Sequence, residues 1–456
     1  MQNNHSIKRK LGSLSLLAGL ISFSITGFAQ QEVPATLAGH SILPVNSTVS
    51  SPEGAPSDMQ MSGKFTTGVR VDSLGKVEGK SADRPTGMYI PIKGQPRQGH
   101  SGIKRMADGT YWVLTDNGFG NKANSPDSML YVTQYDIDFQ SGNTTPLKTV
   151  FFHDPDKIIP FHITNESTKE RYLTGSDFDP ESFQFAGGAL WVGDEFGPYL
   201  IKMDLDGKVL ALFETQVDGK KVVSPDHYQI TTPGKPADKV NFQVNRSKGF
   251  EGMASSPDGS KLYPMLEGAI WLDDKQDYEH VDGKRAARIL EFDVKKQNWT
   301  GRSWLYVFED NQNAIGDFNL IDDTHGLIIE RDNGEGTADK ACTAGSSNTE
   351  NCFSNLAKFK RVYRIEFSDN NIGKPVDKQA YIDLMNIKDP NNMARKPLNN
   401  GVFTFPFFTI ENVDVVDSEH IIVGNDNNYP FSSSREPNKA DDNEFILLNV
   451  PELLKP

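Results

Sequence analysis

Four acids flank one short stretch of this chain. In DPESFQFAGGALWVGDEFG, residues 179–197, Asp179 and Glu181 precede one apolar run and Asp194 and Glu195 follow another. A Gly-Gly turn separates the runs, and no basic residue lies between them. Folded as a β-hairpin, the stretch gathers its acids at one end. Carboxylates so placed repel one another unless a cation intervenes or their pKa values rise.

The arrangement recurs in GHSGIKRMADGTYWVLTDNG (99–118), GFEGMASSPDGSKLYPMLEG (249–268), GDFNLIDDTHGLIIERDNG (316–334) and IENVDVVDSEHIIVGNDNN (410–428). The leading position carries Ser101, Glu181, Glu251, Asp317 and Glu411. The trailing position carries Asp116, Glu195, Glu267, Asp332 and Asp426. The two positions stand 14 to 16 residues apart. Two strands of five or six residues and a turn fill that span, so each pair meets at one end of its hairpin. Acids there could be turn formers only, as Asp, Asn and Gly often are. Glu after Gly-Phe or Pro is not explained that way, since Glu has no special turn chemistry.

Carboxylate and Asn amide oxygens together suit a hard divalent ion, and calcium accepts 6–8 such ligands. The expected ligands are Asp116, Glu181, Glu195, Glu251, Glu411, Asp426 and Asn427. Glu267 or Glu330 is the candidate general base, and Arg331 the candidate phosphate contact or ion-pair partner. Metal-assisted hydrolysis is the chemistry such a site performs.

The elements that would position these residues are short strands. Third strands such as YLIKMDLDG, ARILEFDVKK and RVYRIEFSD follow several hairpins, and fourth strands such as VLALFETQ and SWLYVFED follow those. Repeated units of four antiparallel strands predict an all-β fold, a single β-propeller whose first strands line a central channel. Five blades are counted. A sixth would have to occupy residues 60–98 or 211–248. The last blade lacks a fourth strand after EFILLNV, and GKFTTGVRV is the expected supplier. A pair of β-sandwiches is the alternative.

Residues 1–29 read as a secretory leader: Lys8, Arg9 and Lys10, then LGSLSLLAGLISFSITGFA, with Gly27 and Ala29 before the cut. Residues 30–57 lack periodicity and read as a flexible linker or extended arm. The propeller domain is expected over 58–456. No later segment is long and apolar enough to span a membrane. Loss of the leader takes the net charge from −14 to −17. Such a surface repels nucleic acid, and phosphate too unless a cation intervenes. Export permits a disulfide between Cys342 and Cys352 across a short polar loop. The expected compartment is periplasmic or extracellular, and no protein partner is evident.

Other chemistries lack their marks. There is no GxSxG elbow, HExxH, P-loop or dinucleotide fingerprint. His100 and Ser101 are adjacent, and neighbours on a strand face opposite ways.

The motifs WVGDEFGP (191–198), GFEGMASSPDGSKLY (249–263), LIIERDNGEG (327–336), ENVDVVD with VGNDNNYPFS (411–432) and HSGI with YWVLTDNG (100–118) resemble a secreted bacterial family, the phytase-like or "esterase-like activity of phytase" family. The resemblance runs over about residues 60–450. It implies ester hydrolysis, phosphoester included, on a β-propeller whose namesakes use calcium in an acidic cleft. Two other readings stay open: a calcium-dependent lactonase or carboxylesterase, and a non-enzymatic propeller that binds an envelope component.

Overall fold

A computed structural model describes residues 30–236 and 238–455. The leader lies outside the described residues. Strands dominate, and the one α-helix among those residues is a single turn, Pro451–Leu454.

Four-stranded antiparallel sheets repeat along the chain. Blade one comprises His100–Arg105, Tyr111–Thr115, Tyr131–Asp138 and Asn143–Phe151. Blade two comprises Pro180–Ala186, Ala189–Asp194, Tyr199–Met203 and Val209–Glu214. Blade three comprises Phe250–Ser255, Lys261–Leu266, Lys284–Asp293 and Asn298–Val307. Blade four comprises Ala314–Leu320, His325–Arg331, Lys360–Glu366 and Asp377–Asp383. Blade five comprises Ile410–Val415, His420–Asn425 and Asn443–Asn449, and a fourth strand comes from the amino-terminal side, Thr36–Leu43.

That fourth strand corrects two expectations. Residues 30–57 are not merely a linker or arm: Thr36–Leu43 pairs antiparallel with Asn443–Asn449, Thr36 facing Asn449 and Leu43 facing Asn443. GKFTTGVRV does not supply it; residues 65–68 form a turn and Val69 is exposed. The exposed edge of Asn443–Asn449 offers unpaired backbone groups, and a strand that satisfies them is favoured whatever its side chains. TLAGHSIL carries little of the β-branched signature, which is why it read as unstructured. No sixth four-stranded sheet forms among the described residues. Residues 60–98 make short two-stranded ribbons that lie on blades five and one: Thr86 Oγ1 donates to the Pro430 carbonyl at 2.8 Å, Arg84 Nε to Ser433 Oγ at 3.3 Å, and Arg97 Nη1 to Thr133 Oγ1 at 3.1 Å.

The core lies between the blades. Leu114, Val132, Phe183 and Val192 pack blade one on blade two. Trp191, Leu200, Met253 and Phe292 join two to three. Ile289, Trp304, Phe318 and Ile328 join three to four. Leu327, Val362, Ile410 and Val423 join four to five. Ile422 and Phe445 meet Ile103 and Val113, so blade five packs back on blade one. The innermost strands follow one another in the same cyclic order. Such strands are covered on both faces. FEGMAS is buried through its first five residues and shows no in–out alternation, whereas Tyr131–Asp138 further out does alternate at its end. Cys342 and Cys352 are disulfide-bonded in the loop between the second and third strands of blade four.

Candidate metal centre

Each inner hairpin carries an irregularity at the same place. Pro180 faces Asp194 and Ser182 faces Gly193, so Glu181 has no partner. Phe250 faces Leu266 and Gly252 faces Met265, which leaves out Glu251. Ile410 faces Asn425 and Asn412 faces Gly424, which leaves out Glu411. In blade four the pairing jumps from Ile315 to Phe318, past Asp317, and in blade one it breaks between His100 and Ile103, past Ser101. A β-bulge adds one residue to a strand and re-aims its side chain. Here the added residue is the leading acid in three blades. The trailing acids are held alongside by backbone bonds: Asp116 N–H to the Gly99 carbonyl at 2.9 Å, Glu195 to Asp179 at 2.9 Å and Glu267 to Gly249 at 2.8 Å.

The acids converge. Oxygens of Asp179, Glu181 and Glu195 lie within 4.8 Å of one another, and so do oxygens of Glu195, Glu251 and Glu267. Glu195 belongs to both groups. Glu411 accepts from Ser101 Oγ at 3.1 Å and from Arg331 Nη2 at 3.1 Å. Asp426 accepts from Thr409 Oγ1 at 3.3 Å and from Asn428 N–H at 2.7 Å. Asp116 accepts from Gly118 N–H at 2.8 Å, and Asn427 Oδ1 from Gly99 N–H at 3.4 Å. All seven residues expected as ligands therefore stand at one end of the channel. Asp116 and Glu181 keep partial access to solvent, and the other five are buried.

Burial pushes the Asp116 carboxyl up to about 8, with the charge of Asp179 adding to it. Burial also drives Glu181, Glu195, Glu251 and Asp426 well above the usual carboxylate range. Repulsion adds to each: Asp179 and Glu251 on Glu181, Glu267 on Glu195 and on Glu251, Glu411 on Asp426. Arg331 and Lys248 face the acids with positive charge, and Lys122 acts on Asp179 from the side. Burial disfavours the charged form of Arg331 and of Lys248, but the surrounding acids together outweigh it, Glu411 foremost with Glu267 and Glu251 for Arg331, and Glu267 foremost with Glu195 and Glu251 for Lys248.

Blade four departs from the pattern. Asp317 accepts from the backbone N–H of Val413 at 3.0 Å and of Phe318 at 2.7 Å. Asp332 pairs with the buried Lys360 at 3.1 Å and accepts from the N–H groups of Lys358 and Phe359. Both acids serve backbone and loop, and the blade gives the centre Arg331 instead.

Glu330 is a correction. It was a candidate general base, yet it lies on the other face of its strand from Arg331, as adjacent strand residues must. It accepts from Tyr306 Oη at 2.8 Å, Lys378 Nζ at 2.9 Å and the Glu309 N–H at 2.7 Å. Those partners hold blade three to blade four. Glu267, the other candidate base, does lie among the acids, beside Lys248. Asp179, one of the four hairpin acids but not among the expected ligands, and Lys248, which carries no mark in the repeats, also belong to the centre. Gly99 and Gly249 accept the same backbone bond in their blades that Asp179 accepts in its own, so no repeat marked Asp179 as an acid position.

The donor set fits a hard cation. It is all oxygen and strongly anionic, and Glu195 Oε1 is buried with no hydrogen-bond partner. A buried acceptor left bare costs about 1–3 kcal/mol, more if charged, and a metal ion removes that cost. Below the acids, Lys104, Gln184, Ser255, Asn319 and Asp414, one from each inner strand, bond across the channel. Gln184 Nε2 meets Asn319 Oδ1 at 2.8 Å, Ser255 Oγ meets Gln184 Oε1 at 3.2 Å, and Lys104 Nζ meets Asp414 at 3.1 Å. Beside the acids a cavity of about 320 Å³ has Lys248, Glu267 and Arg331 in its wall, with Arg285, Gln312 and Phe408 among the others.

Comparison with known proteins bears on the family. A curated protein of Arthroderma benhamiae, described as an uncharacterized secreted protein, is 31% identical over 115 residues, 24% of this chain and 22% of that protein. The match thus spans about a fifth of that relative's length, and the relative is fungal. Among solved structures, the RRP9 WD40 repeats align over 82% of this chain and 99% of theirs at 10% identity and a TM-score of 0.32. A putative 6-phosphogluconolactonase from Bacteroides fragilis aligns over 75% and 83% at 13% identity and a TM-score of 0.27. Scores this low bear on no residue of the site. The family described as "Phytase-like: Esterase-like activity of phytase" matches residues 95–429. That span holds the inner hairpin of every blade and every acid of the centre, and the chain belongs to this phytase-like family.

Proposed function

We propose that this protein is a calcium-dependent hydrolase of phosphoesters that works outside the cytoplasm, in the periplasm or beyond the cell. One observation carries the reading: two acid triads share Glu195, whose Oε1 is buried and bare, and they open beside a cavity walled by Lys248 and Arg331. Asp116, Asp179, Glu181, Glu195, Glu251, Glu411, Asp426 and Asn427 are the residues that would hold calcium or a similar divalent ion. Such an ion, when bound, polarises a phosphoryl oxygen and lowers the pKa of a water. Arg331, fixed by Glu411, presents its guanidinium to the cavity and orients the phosphoryl oxygens. Lys248 adds a second positive charge on the same wall. Glu267 lies between that wall and the acids, where it can take the proton of the attacking water. Glu330 has no part in the reaction.

Lys248, Arg285 and Arg331 around one cavity favour a phosphoester over a neutral lactone or acyl ester. The secreted description of the fungal relative and the leader-like first residues support export. The partner is a small-molecule ester, and the net negative charge argues against nucleic acid.

The test strips the mature protein with chelator, titrates calcium by calorimetry, and assays phosphoester and acyl-ester panels with and without the ion. Binding together with calcium-dependent phosphate release is expected. No binding heat, or turnover of acyl esters only, overturns the reading.

A further inference from the structure

The cavity beside the acids differs from the centre itself. Two of its three cations are already answered, Lys248 by Glu267 and Arg331 by Glu411. Arg285 is not. Its guanidinium stands 5.5 Å over the Tyr278 ring, and among the described residues it makes no ion pair and no side-chain hydrogen bond. The rest of the rim is neutral and polar, and much of its bonding capacity is free. Asn245 Oδ1 accepts from Tyr278 Oη at 2.5 Å, which leaves its Nδ2 available. Asn313 Nδ2 donates to Glu330 at 2.8 Å, which leaves its Oδ1. Gln312 has an uncommitted side-chain amide among the described residues.

Amide donors and acceptors turned toward one small cavity match hydroxyl groups, each of which both donates and accepts. A volume of about 320 Å³ is at the small end of ligand sites and suits a single sugar or polyol rather than a chain. One unanswered cation matches one negative charge. A densely phosphorylated ligand would meet Glu267 on the wall and the anionic protein around it, with Arg285 alone to offset the repulsion.

We infer that this cavity seats the leaving group of the substrate, and that it selects a monosaccharide-sized polyhydroxylated group with at most one negative charge of its own, which Arg285 meets. This rests on the phosphoester reading, with the reacting phosphoryl group at the acids and Arg331. Water adds to phosphorus, the P–O bond to the polyol breaks, and the polyol oxygen takes a proton. Inorganic phosphate and the free polyol or sugar acid leave.

The experiment compares glucose 1-phosphate with glucuronic acid 1-phosphate, which differ by one carboxylate, and sets both against inositol hexakisphosphate. Phosphate release is measured with calcium for the wild type and for Arg285→Ala. Arg285 is exposed and its side chain bears on Tyr278, so the variant is expected to fold. The wild type should have the lower KM for the glucuronic acid ester and turn over inositol hexakisphosphate poorly. Arg285→Ala should shift the KM ratio of the two sugar esters about tenfold toward the uncharged one, the worth of one charge-assisted hydrogen bond. An unchanged ratio, or preference for inositol hexakisphosphate, overturns the inference.

p-Nitrophenyl phosphate reads hydrolysis alone. Its turnover without discrimination between the sugar esters leaves the hydrolase standing and sinks the leaving-group assignment. Calorimetric titration of glucuronic acid 1-phosphate into both proteins after chelation reads the cavity without turnover. A Kd that is the same in wild type and variant counts against Arg285, and a tenfold loss in the variant supports it.

Discussion

Glu330 and Arg331 are neighbours in the chain with opposite fates. Arg331 turns into the acid centre, and Glu330 turns into a dry contact with Lys378 and Tyr306. A buried ion pair broken from one side leaves an uncompensated charge, at a cost of about 3–5 kcal/mol. Glu330→Gln keeps some hydrogen bonding and is expected to lose about 3 kcal/mol in a denaturant titration. Phosphate release per folded molecule should be unchanged. Glu251→Gln should behave in the reverse way. It removes a like charge from a crowded site, so the chelated variant should melt above the wild type, while calcium affinity and activity collapse. Melting curves with chelator and with calcium separate the two variants. A Glu251→Gln protein with full activity would remove Glu251 from the mechanism.

At the scale of elements, the five bulges and the glycines beside them bring blade to blade. A Cβ on Gly249 would stand 2.4 Å from the Glu195 carbonyl oxygen, and one on Gly316 would stand 2.1 Å from that of Ile410. These glycines admit the neighbouring blade at the level of the acids. Gly249→Ala must push blade three from blade two and spread Glu195 from Glu251. Calcium Kd by calorimetry should rise at least tenfold in that variant. The amino-terminal strand matters to another property. Removal of residues 30–43 bares the edge of Asn443–Asn449 and takes Leu37 and Leu43 from the core. Each buried leucine is worth about 1.5–3 kcal/mol, and an open edge pairs with other chains. The truncated protein should melt lower and aggregate on light scattering, whereas an intact melting curve would show that blade five needs no fourth strand.

At the scale of the whole molecule, pH acts through the buried carboxyls. Burial holds the carboxyls of Asp194 and Asp317 up at about 7, and Asp116 at about 8. The folded chain then keeps protons that the unfolded chain has released, so without metal its stability falls as pH rises from about 4 to 8. On the acid side the sign reverses. Burial opposes ionisation of both Glu444 and Glu309, but Arg435 and His40 hold Glu444 at about 2, and Lys378, Gln30 and Lys284 together hold Glu309 at about 2. Their contribution is full above about pH 4.5 and is lost as pH falls toward 2. Chelated protein should therefore be most stable near pH 5, and calcium should move the maximum to higher pH. At a thousandfold excess over Kd the ion adds about 4 kcal/mol. A melting temperature at pH 8 that is indifferent to calcium would argue against any cation at the acids.

What could be read from the chain alone was local and repeated. Leading and trailing acids lie within one hairpin, so strand period and turn length were enough to predict that each pair would meet, and five copies were enough to suggest a common opening. The roles of single members were not legible. Asp332 looks like Asp116 in the repeat, yet Lys360, brought from the next strand, claims it. Glu330 and Arg331 needed the register of blade four to say which of them faces the channel. Lys248 and Asp179 enter the centre because other blades press against them. Thr36–Leu43 becomes a strand because Asn443–Asn449, some 400 residues later, has an edge to satisfy. Local spacing follows from backbone geometry and is written in the order of residues. Which face a side chain shows, and what charge answers it, depends on partners that only the packing of sheet against sheet brings within reach.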